Sequence, residues 1–132
     1  MTGQLVKTTL KVDIESVRAY ADLTDDYNPI HLDPAFAATT PMGGVIAHGT
    51  MSVCLLWQAI YRTFAPEMLS SAELDVRFVK PVRLGERLEA GGQRDAEDPR
   101  LYTVWVRADD GAERLAGTLR TAAIPAQERA PS

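Results

Sequence analysis

Only two histidines occur in this chain, His31 and His48, and both fall in its least regular stretch, among prolines, glycines and carboxylates. Asp26 precedes His31 by Tyr27-Asn28-Pro29-Ile30, a connector stiffened by its proline. A carboxylate and an imidazole fixed across such a turn can converge on one water and move protons in either direction near neutral pH. The short pattern by itself also fits a loop Asp capping a backbone N–H beside a surface His.

A second group, Ile46-Ala47-His48-Gly49-Thr50, stands where a long apolar segment begins. If that segment is a helix, its first N–H groups lack intrahelical partners and carry the positive end of the helix dipole. A carbonyl oxygen gaining negative charge can be held there. Gly49 has no side chain to block its approach, although a glycine at this point also simply permits a tight entry.

The elements that must position these residues are legible from periodicity. Residues 49–64 are apolar on nearly every face, which predicts a helix buried almost all round, and Pro66 follows its end. Gly49, Val53 and Trp57 are spaced by four, so they form one stripe about 12 Å long at ~1.5 Å per residue. If the stripe faces a substrate, Val53 and Trp57 line and floor its pocket; ordinary core packing is the other reading of Trp57.

Upstream, alternation over residues 5–12, with Val6, Leu10 and Val12 apolar, predicts a first strand. Ile14, Val17 and Ala21 predict an amphipathic helix over 14–23 with Asp13 as N-cap. Residues 25–33 read as a structured loop around Asn28-Pro29, followed by a helical turn from Asp33-Pro34 to Ala38. Leu74, Val76 and Phe78 mark a further strand, with three more near 87–93, 101–108 and 114–123, separated by turns at Gly85, Asp98-Pro99 and Asp109-Asp110-Gly111. This order predicts an α+β fold, an antiparallel sheet curled around one buried helix. One domain over 1–124 and a frayed tail over 125–132 are expected.

Composition narrows the function classes. The chain has 132 residues, a net charge of −4 and 45% hydrophobic residues, so it can bury a core without staples. No cluster of Lys and Arg interleaves with aromatic residues, which argues against nucleic-acid binding. No apolar run is long enough for a membrane span. The single cysteine, Cys54, suits a small hydrophobe in a reducing compartment, and a cytoplasmic location is expected.

The string Tyr20-Ala21-Asp22-Leu23-Thr24-Asp25-Asp26-Tyr27-Asn28-Pro29-Ile30-His31-Leu32-Asp33 resembles the hydratase signature of the MaoC-like family, the (R)-specific enoyl-CoA hydratases with a hotdog fold. The similarity continues through Pro34 to Thr40, Ile46-Ala47-His48-Gly49, and Phe78-Val79-Lys80-Pro81-Val82-Arg83-Leu84-Gly85-Glu86. It implies a catalytic pair at Asp26 and His31 and a carbonyl-binding N–H at Gly49, with Asn28 bracing the loop and His48 in support. The implied reaction is hydration of a trans-2-enoyl thioester. Trp57 stands where the family often has a small hydroxyl residue, and Pro41-Met42-Gly43-Gly44 is richer in glycine than usual.

Arg77, Lys80, Arg83 and Arg87 form a local basic stretch suited to the phosphates of coenzyme A, although exposed strands are commonly charged. No metal and no cofactor beyond the substrate's own coenzyme A is expected; an acyl-carrier-protein thioester is the alternative carrier. Two other readings compete: a hotdog thioesterase, disfavoured because residues 49–64 contain no Asp or Glu, and a non-catalytic thioester-binding or assembly subunit. Exposed sheet edges predict a homodimer.

Overall fold

In a computed structural model, which describes residues 3–122, five antiparallel strands curl around one long helix. The elements run β1 (Thr8–Lys11), α1 (Ile14–Thr24), α2 (Pro29–Leu32), α3 (Pro34–Ala38), α4 (Gly49–Thr63), a 3-10 turn (Pro66–Leu69), β2 (Glu73–Phe78), β3 (Arg87–Arg94), β4 (Leu101–Ala108) and β5 (Glu113–Arg120). In space the strands are ordered β1-β3-β4-β5-β2, so β1 and β2 are the edges.

The core lies between α4 and the sheet. Leu55, Leu56, Ala59 and Ile60 of α4 join Leu88, Val104, Val106, Leu115 and Leu119 of β3, β4 and β5. Each large side chain so buried stabilises the fold by roughly 1.5–3 kcal/mol. α1 begins as expected, with the Asp13 carboxylate accepting from the Ser16 N–H and the Ser16 hydroxyl accepting from the Asp13 N–H.

Four expectations are corrected. Val6 is exposed while Leu5 is buried, because the inward-facing parity changes between Leu5 and Thr8, before β1 pairs with β3. Residues 29–32 are not loop but helix, since the Asn28 side chain accepts from the Ile30 N–H and Pro29 occupies the first helical position. The long helix is not buried all round: Thr50, Cys54, Gln58 and Tyr61 form an exposed stripe, so Cys54 is no core residue. The last strand ends at Arg120, short of residue 123. The expected tail, 125–132, lies outside the described residues.

The connector between β2 and β3 holds the approach to α4. Ile46 bridges to Arg83, and the Ala47 N–H donates to the Val82 carbonyl at 2.7 Å. Arg114 on β5, only 5% exposed, fastens that connector from below: its guanidinium donates to both Glu86 oxygens, to Asp110 and to the Ala112 carbonyl. The Glu86 carboxylate beside it raises the Arg114 pKa further, against the effect of burial.

Candidate active site

α1 ends at Asp25, whose left-handed backbone (φ 57°) turns the chain sharply. Asp26 follows immediately, its N–H donating to the Ala21 carbonyl and its carboxylate accepting from the Asn28 N–H at 3.2 Å. Asn28 then caps α2, which carries His31. The expected brace is therefore a physical one: one Asx turn leads directly into one capped helical turn.

Backbone carbonyls select the tautomers of both histidines. His31 Nδ1 lies 2.7 Å from the Ile46 carbonyl and His48 Nε2 lies 3.0 Å from the Asp26 carbonyl. A carbonyl only accepts, so each of these nitrogens donates. His31 Nε2 and His48 Nδ1 are left with lone pairs in the neutral rings. The His48 Nδ1 is buried and without a partner among the described residues.

The imidazoles stack, with centroids 3.9 Å apart and planes at 27°. Tyr20 packs edge-on against His48 with ring centroids 5.0 Å apart, and its hydroxyl donates to Thr50 Oγ1 at 2.6 Å. Burial is the main cause that raises the Tyr20 pKa. A carboxylate oxygen of Asp26 and one ring nitrogen each of His31 and His48 all lie within 4.8 Å of one another. That spacing admits one water bridging the acid and the imidazole.

His48 is also the N-cap residue of α4 and makes no side-chain cap, so the first-turn N–H of Gly49 is left to the space in front of it. That space is a cavity of about 260 Å³, whose lining includes His31, Ile46, Ser52, Phe78, Lys80 and Arg114 beside Gly49. A Cβ at Gly49 would come within 2.9 Å of the Phe78 ring. Glycine at this position thus lets the Phe78 ring lie against the start of α4, where a larger residue would push it aside.

Among the sequence-predicted residues, Asp26, Asn28, His31, His48 and Gly49 are brought together. Val53 and Trp57 are half-buried further along α4 and do not line this cavity; Trp57 instead lies 5.7 Å from the Tyr61 ring. Of the basic residues, Lys80 lines the cavity and Arg83 reaches towards Gly44 near its rim, whereas Arg77 is exposed on β2. Sequence reasoning missed Ser52, Phe78, Met42 and Arg114 as site neighbours. Phe78 had a signal, since it opens the later string that resembles the family; the others depend on contacts distant in sequence.

On the opposite flank of α4 a second hollow, about 280 Å³, is walled by Leu10, Ala19, Tyr20, Leu23, Met51 and Cys54. It shares Tyr20 with the site.

Comparison with known proteins identifies the family and the fold. Residues 2–112 match the model of the MaoC like domain family. The (R)-specific enoyl-CoA hydratase of Aeromonas caviae is 31% identical over 107 residues, 80% of this chain and 80% of that protein. The 3-hydroxybutyryl-CoA dehydratase of Methylorubrum extorquens is 41% identical over 85 residues, and the alignment spans about half of its length (52%). The R-hydratase PhaJ1 of Pseudomonas aeruginosa superposes with a TM-score of 0.76 at 26% identity, covering 95% of this chain and 90% of that structure. The fold is the hotdog, and the chain belongs to the MaoC-like domain family.

Proposed function

We propose that the protein is a hydro-lyase that reversibly adds water to a trans-2-enoyl thioester, giving an (R)-3-hydroxyacyl thioester. The observation that carries this reading is that a ring nitrogen of His31 and a carboxylate oxygen of Asp26 lie within 4.8 Å of each other, with His31 and Gly49 lining one cavity. Its relatives named as enoyl-CoA hydratase and 3-hydroxybutyryl-CoA dehydratase support it.

In this reading Asp26 and His31 hold a water. Its oxygen bonds to Cβ, the electron pair of the double bond moves through Cα to the thioester oxygen, and one water proton passes to His31 Nε2. The Gly49 N–H receives the enolate oxygen. As the carbonyl re-forms, His31 returns the proton to Cα, and Asp26 offsets the charge of the transient imidazolium. Dehydration is the same path reversed.

Coenzyme A is the proposed carrier, with Lys80 and Arg83 near the cavity rim suited to its phosphates. The 260 Å³ cavity suits a short acyl chain. A cytoplasmic homodimer is the proposed setting: β2 is an unpaired edge, and Tyr61, Phe78 and Val79 expose large apolar surfaces. No helix among the described residues is long and apolar enough to cross a membrane.

The test is loss of the conjugated double bond when the protein meets crotonyl-CoA, with stereochemical analysis of the product. Wild type is expected to form the (R)-3-hydroxy product, and Asp26→Asn and His31→Ala to lose about 10²–10⁴-fold in kcat. Release of free thiol without hydration would favour a thioesterase instead.

A further inference from the structure

Most of the cavity wall beside Gly49 is apolar, with Met42, Ile46, Phe78 and Val82 prominent, yet one hydroxyl belongs to it. Ser52 is 2% exposed and lies three residues beyond Gly49 on α4. Residues so spaced share a helix face, and helical side chains lean towards the N-terminus. The Ser52 hydroxyl therefore leans towards the turn that Gly49 opens.

Hydroxyl side chains within helices commonly donate back to the carbonyl four residues earlier. Thr24 and Thr63 do so here, bonding to Tyr20 and Ala59 at 2.8 and 2.7 Å. Ser52 makes no such bond and has no other hydrogen-bond partner among the described residues. The Ser52 oxygen is not sealed in the core as His48 Nδ1 is, so it meets the cavity that Ser52 lines and is free to bond a ligand there. The other polar groups of the wall are differently placed: the Arg114 guanidinium is engaged by Glu86, Asp110 and Ala112, His31 Nδ1 by Ile46, and Lys80 is exposed to solvent.

We infer that the Ser52 hydroxyl is a second hydrogen-bond donor to the thioester carbonyl oxygen, acting beside the Gly49 N–H. The inference rests on the hydratase reading of the same cavity. A carbonyl oxygen has two lone pairs, so it accepts both donors at once. As water adds to Cβ and charge collects on that oxygen, both bonds strengthen, while Ser52 keeps its proton and forms no covalent bond. Its effect falls on kcat more than on KM.

The test compares wild type with Ser52→Ala and Ser52→Thr in two measurements. In crotonyl-CoA hydration, Ser52→Ala is expected to lower kcat about 10²-fold with KM little changed, and Ser52→Thr to recover most of the loss. In complexes with unreactive butyryl-CoA carrying a ¹³C-labelled carbonyl, the carbonyl stretch is expected at higher frequency in Ser52→Ala than in wild type. An unchanged band in Ser52→Ala overturns the inference, as does a rise in KM alone that threonine fails to reverse. The hydratase reading fails separately: if wild type leaves crotonyl-CoA intact, a band that still shifts keeps the Ser52 contact and removes only the hydration step. Failure of butyryl-CoA to bind a wild type that also leaves crotonyl-CoA intact would overturn both.

Discussion

At the scale of single residues, the site depends on groups whose freedom has been removed by backbone contacts. His31 cannot exchange tautomers without losing the Ile46 carbonyl, and His48 cannot without losing that of Asp26. That Asp26, His31 and Gly49 come together was legible because residue type, spacing and family resemblance coincided in two short strings. Ser52 was not: a serine in an apolar helical run carries no mark of which carbonyl it declines to bond. Gly49→Ala is expected to push the Phe78 ring aside, since the new Cβ would stand 2.9 Å from it. Circular dichroism and melting should stay close to wild type, because Phe78 is 60% exposed and can move. Hydration kinetics should fall at least 10-fold on the scale expected for a misplaced carbonyl donor.

At the scale of elements, the segment leading into α4 is held by the β2–β3 connector, and the connector is held by Arg114. Glu86→Gln removes half of this pair and leaves a buried guanidinium short of its charge partner, an expected cost on the order of 3 kcal/mol in urea unfolding. A loss below ~0.5 kcal/mol would show that Asp110 alone suffices. The exposed carboxylates act at lower pH. Backbone N–H donation from Ala112 and then Arg114 hold Asp110 below its ordinary pKa, as Arg100 N–H and then Arg120 do for Asp98. Folded values below the unfolded ones mean that their stabilisation is complete above the usual carboxylate range and disappears as pH falls through the lowered values. Asp110→Asn should therefore lessen the loss of stability between about pH 4 and pH 2, as followed by urea midpoints.

Periodicity located most elements but misplaced their details for identifiable reasons. The parity of residues 5–12 broke because Leu5 and Thr8 face inward across a segment that is only partly strand. Pro29–Leu32 escaped notice because four residues hold no period, and its cap is set by one Asn side chain. The exposed face of α4 had a signal in Thr50 and Gln58, each four residues from Cys54 along the stripe, but the apolar residues around them hid it.

At the scale of the whole molecule, that uncovered face and the bare β2 edge belong together in one expectation. Tyr61 is 67% exposed, and Phe78 and Val79 are 60% and 45% exposed. Sedimentation velocity at micromolar concentration is expected to show a dimer, and Tyr61→Lys combined with Val79→Lys to shift it towards monomer. Monomeric wild type at tens of micromolar would remove the proposed homodimer while leaving the catalytic reading of Asp26 and His31 intact.

Cys54, the chain's single sulfhydryl, opens onto the hollow behind α4, 3.7 Å from the Tyr20 hydroxyl. One fluorophore can consequently be attached without mutagenesis, at a spot separated from His48 by a single aromatic ring. Because Cys54 shares the exposed stripe of α4 with Tyr61, such a label would report, through its emission, whether a second copy comes to cover that face.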